Sequence, residues 1–236
     1  MTPEKTVNYI ISKLGIIKNK SKILDPCVGP GIFVKILVKK GVNPEKIYAF
    51  DIDNSYKTDL QALGINFTQK DTLLDIRERD HNKFDYIIGN PPYLNKSSNY
   101  IKKNKQSLKK IYGHINAHES YAMFIVNNIW RLKEGGFLAF ITSDSFLTLR
   151  THTRLREYIL KTCQIKEILL APQNLFEDQG VNTFTSILVL KKFTGDSNRE
   201  RRRDNLVRII PRIENEDYYE RPPKVKTITQ LLKEPN

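Results

Sequence analysis

Two cysteines are all that this chain of 236 residues contains, and their scarcity excludes one class of protein. Cys27 and Cys163 are too few for a disulfide framework, so we expect a reducing, cytoplasmic environment. No apolar run approaches the roughly 18 residues that a membrane helix needs, and no signal-peptide pattern opens the chain. We expect no metal site, because no zinc-ligand spacing joins the cysteines to the four histidines, which are His81, His114, His118 and His152.

Acidic residues are fewer than basic ones. The chain has 39 lysines and arginines against 26 aspartates and glutamates, which gives a net charge of +13 and a pI near 9.6. Such a balance favours a polyanionic partner, most simply nucleic acid. A membrane surface would attract the same charge, but nothing in the sequence is suited to enter a membrane.

Strand-like and helix-like segments alternate along most of the chain, which predicts an α/β fold with a mostly parallel sheet and helices on both faces. The last two strands have no convincing helix between them and are expected to form an antiparallel hairpin at one edge. We expect residues 1–192 to form one domain, and residues 193–236, which are charged and proline-punctuated, to form a linker or the start of a missing target-recognition region. Seven strands are predicted, at 22–25, 46–51, 65–69, 84–89, 137–141, 165–170 and 185–190.

A glycine-containing turn, Asp25 to Phe33, lies between the first strand and its helix, where the backbone can approach a ligand closely. About 20 residues later, Asp51 ends the second strand and is placed to accept ribose hydroxyls. The third glycine of the dinucleotide fingerprint is missing, since Val34 occupies its place. A carboxylate at Asp25 would also disfavour a pyrophosphate. A cofactor with a ribose and a positively charged end fits this turn better.

A second turn, Asn90-Pro91-Pro92-Tyr93, follows the strand from Phe84 to Gly89. Two prolines cannot continue a sheet, and the residue before a proline is kept out of the helical region. The turn therefore holds an amide side chain, a proline carbonyl and an aromatic ring together at the carboxyl end of a strand, where ligands bind in open α/β sheets. This set can accept hydrogen bonds from an amino group and stack on the flat ring that carries it.

Together these motifs make the chain resemble an S-adenosylmethionine-dependent DNA adenine-N6 methyltransferase, of the class in which the cofactor motifs precede the catalytic one. Thr2-Pro3 resembles the N-terminal cofactor motif of that family, and Asp25 to Phe33 resembles its D-P-x-x-G-x-G-x-F loop. Asn90 to Tyr93 matches its catalytic N-P-P-Y. The resemblance covers about residues 2–192 and implies a Rossmann-like class I methyltransferase fold. The cofactor-binding residues that it implies are Thr2, Asp25, Cys27, Gly29, Gly31, Phe33, Asp51, Ile52, Asp71 and Asn90.

The resemblance also implies individual roles. Asp51 would hold the ribose, Ile52 would lie beside the adenine ring of the cofactor, and Asp71 would hold the adenine amino group. At the target, Asn90 and Pro91 would accept hydrogen bonds from the N6 amino group of an adenine that has left the duplex. Tyr93 would stack on that base, with Phe176 on its far side.

Six lysines lie between the catalytic turn and the next predicted helix, in a stretch from Leu94 to His118 that has no acidic residue. Tyr100 and Tyr112 are interleaved with them. A charge run is often only a solvated face, but the position beside the catalytic turn favours contacts with the phosphates of double-stranded DNA. The lysines predicted to make these contacts are Lys96, Lys102, Lys103, Lys105, Lys109 and Lys110.

Three other functions share some of these features. A protein glutamine methyltransferase also uses N-P-P-Y, but it usually carries an N-terminal helical domain, for which the strand beginning by residue 22 leaves no room. An RNA adenine methyltransferase would need the same pocket chemistry. A non-catalytic DNA-binding subunit could retain the fold, although the intact tetrapeptide argues against it. Methyltransferases of the matching class normally carry a separate region that reads the DNA sequence, so we expect a target-recognition domain or subunit that is not in this chain.

Overall fold

The computed structural model describes residues 2–115, 118–172, 175, 184–195, 205–212, 223–227 and 230. Their strands form one sheet with the order β3-β2-β1-β4-β5-β7-β6-β8-β9. The strands are β1 (Ile23–Asp25), β2 (Ile47–Asp51), β3 (Asn66–Gln69), β4 (Phe84–Gly89), β5 (Leu132–Ser143), β6 (Cys163–Leu170), β7 (Thr185–Lys192), β8 (Leu206–Ile210) and β9 (Lys224–Thr227).

The predicted alternation of strands and helices is confirmed. Strands β1 to β5 pair in parallel, and β7 lies antiparallel between β5 and β6. The chain runs outward from β1 through β2 to β3 and then returns to β4, on the other side of β1. The strand order therefore reverses between β1 and β4, and the crevice at their carboxyl ends is the expected place for a ligand.

The described residues contain eight α-helices, of which the first precedes β1. They are α1 (Glu4–Ser12), α2 (Ile32–Lys39), α3 (Lys57–Ala62), α4 (Asn99–Lys103), α5 (Lys105–Tyr112), α6 (Ser120–Arg131), α7 (Ser145–Thr148) and α8 (Thr153–Thr162). Among the described residues no helix has the length and apolarity that crossing a membrane requires. The cap position of α1 is Pro3, and no side chain caps the helix.

The core lies on both faces of the sheet because successive strand residues point to opposite sides. Leu24 and Ile87 belong to the cluster on one face, which also includes most of α6. Ile23 and Ile88 belong to the cluster on the other face, with α1 and α2. Strands buried on both faces are typical of the centre of an α/β sheet.

The sheet has two more strands than the seven predicted, because β8 pairs in parallel with β6 and β9 pairs with β8. The sequence signal for β8 is short and lies between charged segments, yet Val207 and Ile210 are 0% and 1% exposed. Glu167 of β6 ties the added strand to the domain: it accepts a hydrogen bond from Tyr9 of α1 at 2.5 Å and pairs with Arg208 of β8 at 3.1 Å. Residues 206–210 thus continue the sheet beyond the predicted boundary at residue 192.

The Gly135-Gly136 pair lies inside β5, close to the end of α6. Gly135 adopts a positive φ of 73°, which glycine tolerates without strain. A Cβ at Gly136 would lie 2.8 Å from the carbonyl oxygen of Asp85 in the neighbouring strand. The pair therefore allows close strand contact at the start of β5.

Candidate active site

A cavity of about 320 Å³ lies at the carboxyl ends of β1, β2 and β4. The segments that follow β1, β2, β3 and β4 all contribute to its wall, as the strand reversal requires. Residues from α4 and α6 complete it. Its lining consists of Pro26, Cys27, Asp51, Ile52, Lys70, Asp71, Thr72, Leu73, Asn90, Pro92, Leu94, Tyr100 and Phe124.

Asp51 is held at the end of β2 by two backbone groups. The amide of Gly29 donates to Oδ2 at 2.8 Å, and the amide of Asp53 donates to Oδ1 at 2.9 Å. Gly29 has a positive φ of 49°, which lets the turn bring its amide to the carboxylate. Each carboxylate oxygen has about two acceptor positions. One position on each oxygen is therefore left for a ligand with two neighbouring hydroxyls.

Asp71, just after β3, is the second carboxylate of the cavity. Its Oδ1 accepts hydrogen bonds from the amides of Leu73 and Leu74 at 3.0 and 3.1 Å. The hydroxyl of Tyr100 lies 3.0 Å from each carboxylate oxygen. These contacts hold the carboxylate rigidly, with its charge compensated by three donors.

Asn90 follows β4 with its side chain fixed at both ends. Its Nδ2 donates to the hydroxyl of Thr2 at 3.3 Å, and its Oδ1 accepts from the hydroxyl of Tyr93 at 2.9 Å. Thr2 is 8% exposed and so holds the amide from the protein side. The contact sets the orientation in which Oδ1, the acceptor, points toward Tyr93.

Ser120, the first residue of α6, holds the proline turn in place. Its amide donates to the carbonyl of Leu94, and its hydroxyl accepts from the amide of Leu94, both at 2.8 Å. The hydroxyl also donates to the carbonyl of Pro92. Ser120 thus bonds the carbonyl of Pro92. The carbonyl of Pro91, which is predicted to accept a hydrogen bond from the target amino group, is a different one. Ser120 is fully buried, so this support is shielded from water.

Asp25 lies beneath the cavity, buried at 1% exposure. Removal from water disfavours its charged form and raises the pKa of its carboxyl to about 8. The amide of Cys27 donates to Oδ1 at 3.2 Å, which offsets only part of this effect. The sequence-based argument that Asp25 places a negative charge beside the turn is therefore wrong at neutral pH, because it took no account of burial.

The pKa of Asp25 predicts a pH-dependent stability. The pKa rises from 3.8 to about 8, so the folded chain binds this proton more tightly than the unfolded chain does. The contribution is complete below pH 3.8 and is lost as the pH rises toward 8, with a slope of at most about 1.4 kcal/mol per pH unit. Asp25→Asn should remove this slope.

Urea unfolding at a series of pH values between 5 and 8 measures this effect. The free energy of unfolding of the wild type should fall more steeply with pH than that of Asp25→Asn. Asp59→Asn, at an exposed position on α3, is the matched control and should follow the wild type. Parallel curves for Asp25→Asn and the wild type would contradict the assignment.

Cys27 lines the cavity beside Asn90. Burial raises the pKa of its thiol well above the usual value, and the nearby Asp25 and Asp51 raise it further. The thiolate is the reactive form of cysteine, so this side chain stays a neutral thiol. It lines the same cavity as Asn90 without the reactivity of a nucleophile.

A second concave surface, which we call the lysine groove, lies beside the catalytic turn. It encloses about 550 Å³, and none of the described residues that line it is acidic. Lys103 and Lys110, also predicted to bind nucleic acid, are exposed but do not line it. The lining residues are Lys96, Ile101, Lys102, Lys105, Lys109, Gly113 and His118.

Helices α4 and α5, which carry most of these lysines, were not predicted from the sequence. Ile101, Leu108 and Tyr112 are buried against the core and fix the two helices to the domain. The side chain of Ser98 caps α4 by accepting from the amide of Ile101. The lysines extend from the exposed side of this anchored pair.

Half of the ten predicted cofactor residues line the cavity: Cys27, Asp51, Ile52, Asp71 and Asn90. The others, which are Thr2, Asp25, Gly29, Gly31 and Phe33, do not line it, although Thr2, Asp25 and Gly29 each bond a lining residue. Phe176 is outside the described residues, and its role stays a prediction. Among the described residues there is no group of three side chains that could hold a metal ion.

Sequence reasoning missed several wall residues, above all Tyr100 and Phe124. Tyr100 was noted only as an aromatic among lysines, and Phe124 was not among the predicted site residues. The spacing of Tyr100 seven residues after Tyr93 carries no signal of a contact with Asp71. Only the packing of α4 over the segment after β3 brings them together.

Comparison with known proteins agrees with this geometry. Residues 17–176 match the family described as Eco57I restriction-modification methylase. The type II methyltransferase M.HincII of Haemophilus influenzae is 29% identical over 174 residues, which cover 72% of this chain and 32% of that protein. M.AccI of Acinetobacter calcoaceticus is 28% identical over 185 residues, covering 73% and 33%. The chain thus spans about a third of the length of these curated relatives.

The fold is shared with solved structures. The methyltransferase subunit of a type I restriction-modification system from Streptococcus thermophilus superposes with a TM-score of 0.71 at 16% identity, over 99% of this chain and 57% of that one. A class I S-adenosylmethionine-dependent methyltransferase from Listeria monocytogenes superposes with a TM-score of 0.64 at 21% identity, over 84% and 62%. With the match to residues 17–176 and the site at the β1–β4 crevice, the chain belongs to the Eco57I restriction-modification methylase family.

Proposed function

We propose that this chain transfers a methyl group from S-adenosylmethionine to the N6 amino group of adenine in DNA, within a cytoplasmic restriction-modification system. The observation that carries the proposal is the shared cavity. It brings the amide of Asn90 to the same wall as the carboxylates of Asp51 and Asp71. An acceptor for an amino group thus lies beside two acceptors suited to a nucleoside.

The residues present fit the proposed cofactor. Asp51 has one acceptor position free on each oxygen, which suits the two ribose hydroxyls. Ile52 is 60% exposed at the cavity, an apolar surface available to an adenine ring. Asp71 offers its carboxylate to the adenine amino group. When bound, S-adenosylmethionine supplies an activated methyl on sulfur, so the protein needs only to align it with its acceptor.

The catalytic turn, Asn90 to Tyr93, is proposed to activate the target nitrogen. The lone pair of an adenine amino group is delocalised into the ring, so the nitrogen is a poor nucleophile. Hydrogen bonds to Asn90 Oδ1 and to the Pro91 carbonyl favour tetrahedral geometry and growing positive charge on that nitrogen. Thr2 keeps Oδ1 in the required orientation through Nδ2. Tyr93 must release Oδ1 as the amino group arrives, which leaves its ring free to stack on the base.

The proposed partner is double-stranded DNA bound along the lysine groove. Lys102, Lys105 and Lys109 recur on one side of α4 and α5 and can follow a line of phosphates. Such contacts set position without reading sequence. Lys103 and Lys110 do not line the groove and should contribute less.

Replacing Lys102, Lys105 and Lys109 together by glutamine should therefore weaken duplex binding and flatten its salt dependence. Each lost phosphate contact lowers the slope of log K against log salt by about 0.9. Fluorescence anisotropy of a labelled duplex over a salt series measures the slope. The double variant Lys103→Gln and Lys110→Gln, which removes only lysines outside the groove, is the control. Equal slopes for both variants would show that the groove is not the binding surface.

Sequence selectivity is proposed to come from a target-recognition domain or subunit. The described residues contain the cofactor cavity, the catalytic turn and the lysine groove, and phosphate contacts carry no sequence information. We therefore expect the chain to methylate different duplex sequences with similar rates. High selectivity for one sequence would contradict this part of the proposal.

Radiolabelled S-adenosylmethionine tests the overall function. The chain is incubated at low salt with duplex DNA, with structured RNA or with a glutamine-containing protein extract. Label should pass to DNA at the highest rate. Preferential labelling of RNA or protein would favour one of the other adenine or amide methyltransferases, and the absence of cofactor binding would favour a non-catalytic DNA-binding subunit.

A further inference from the structure

Tyr100 belongs to two functional surfaces. It lines the cofactor cavity, and it lies on α4 two residues before Lys102, which lines the lysine groove. The rest of the cavity wall comes from segments that follow the strands and from Phe124 on α6. Among the described residues, Tyr100 is thus the cavity residue carried by a lysine-bearing helix.

The hydroxyl of Tyr100 holds the carboxylate that the cofactor would use. It lies 3.0 Å from both Oδ1 and Oδ2 of Asp71, a position between the two oxygens. Oδ1 already accepts the amides of Leu73 and Leu74, so its acceptor positions are filled from the protein side. Among the described contacts Oδ2 accepts from the hydroxyl alone, so a donor that enters from the cavity reaches Oδ2 beside the hydroxyl and competes with it.

The hydroxyl remains a donor under all ordinary conditions. Burial raises the pKa of Tyr100, and the negative charge of Asp71 raises it further. A hydrogen bond from a neutral hydroxyl to a carboxylate is among the stronger ones in proteins. The contact therefore competes appreciably with an adenine amino group, which offers the same kind of donor.

The neighbouring helix is fixed to the same segment. Tyr112 of α5 donates to the carbonyl of Leu73 at 2.8 Å, is 0% exposed and stacks on Trp130 with ring centroids 5.7 Å apart. Tyr100, by contrast, is only partly buried. The side chain of Tyr112 is thus fully buried, whereas that of Tyr100 is partly open to the cavity.

We propose that Tyr100 sets the affinity of the cofactor cavity by occupying Asp71 until the adenine amino group of the cofactor replaces it. Because Tyr100 shares α4 with Lys102, DNA bound in the lysine groove favours the displaced position of the Tyr100 side chain and so tightens cofactor binding. By reciprocity, the cofactor tightens DNA binding by the same factor. This inference rests on the proposed function and adds to it a coupling between its two ligands.

Tyr100→Phe tests the exchange, because it keeps the ring and removes the competing hydroxyl. Isothermal calorimetry with S-adenosylhomocysteine, which cannot transfer a methyl, gives the cofactor affinity without turnover. The variant should bind about fivefold more tightly than the wild type, the effect of one lost competing hydrogen bond. Tyr86→Phe is the control, since it removes a hydroxyl bond to the carbonyl of Ile16 outside the cavity lining, and its affinity should not change.

The coupling is tested by repeating the titrations with a saturating mixed-sequence duplex. DNA should tighten S-adenosylhomocysteine binding to the wild type by about fivefold or more, and by less than about twofold in Tyr100→Phe. Weaker or unchanged binding in the variant without DNA would overturn the exchange, and equal coupling in both proteins would overturn the link to α4. If the wild type binds no S-adenosylhomocysteine, the proposed function itself fails and this inference with it.

Discussion

Asn90→Ala should reduce methyl transfer by on the order of 10³-fold, the loss expected when a group that stabilises developing charge is removed. The substitution deletes Oδ1, the acceptor that faces Tyr93, and also the Nδ2 contact with Thr2. Asp51 and Asp71 keep their backbone hydrogen bonds, so the cofactor site stays assembled. The affinity for S-adenosylhomocysteine should therefore change by less than about threefold.

Single-turnover transfer of labelled methyl, measured beside calorimetric cofactor affinity, separates these two effects. Asn8→Ala removes a surface asparagine of α1, whose amide bonds only the carbonyl of Glu4, and serves as the matched control. Its transfer rate should equal that of the wild type. An unchanged transfer rate in Asn90→Ala would contradict the proposed mechanism, because no other described residue that lines the cavity has a side-chain amide.

Asp51→Asn should act on the cofactor and not on the chemical step. The variant keeps one acceptor oxygen for the glycine turn but loses the charge and the acceptor positions that suit two ribose hydroxyls. Hydrogen bonds to a charged group contribute about 1.5–3 kcal/mol each. We expect the cofactor dissociation constant to rise about 100-fold, which corresponds to about 2.7 kcal/mol.

At saturating cofactor the transfer rate of Asp51→Asn should stay within a few-fold of the wild type. Asp59→Asn, an exposed aspartate on α3, controls for the change in net charge. If the rate at saturation falls as steeply as the affinity, Asp51 also aligns the methyl donor. If neither changes, the ribose lies elsewhere and the assignment of the cavity is wrong.

Much of the fold could be predicted because glycine and proline mark its turns. Each of the seven predicted strands either follows such a turn or is itself a clear apolar run. All seven are present, as β1 to β7. The two added strands could not be recognised, since charged residues surround or interrupt the apolar residues of β8 and β9. Its burial comes from pairing with β6, a contact between distant parts of the chain. Helices α4 and α5 were not predicted for a similar reason. They have only three buried apolar residues, and lysines surround them.

The candidate site could be predicted as far as its positions, but not as far as its contacts. Strand ends placed Asp51, Asp71 and Asn90 at one edge, and all three line one cavity. The protonation of Asp25 depends on burial, which no motif reveals. The contact between Tyr100 and Asp71 depends on how α4 packs over the segment after β3. A sequence pattern does not show how a helix packs.

The identity of the methylated nucleoside is the most direct test of methyl transfer to the N6 amino group of adenine. DNA treated with the chain and labelled S-adenosylmethionine is digested to nucleosides, which are separated by chromatography and identified by mass. The label should be found in N6-methyl-2′-deoxyadenosine, because Asn90 and the Pro91 carbonyl would accept hydrogens from an exocyclic amino group and the N-P-P-Y turn resembles that of the adenine-N6 class. Label in 5-methylcytosine or N4-methylcytosine would contradict it.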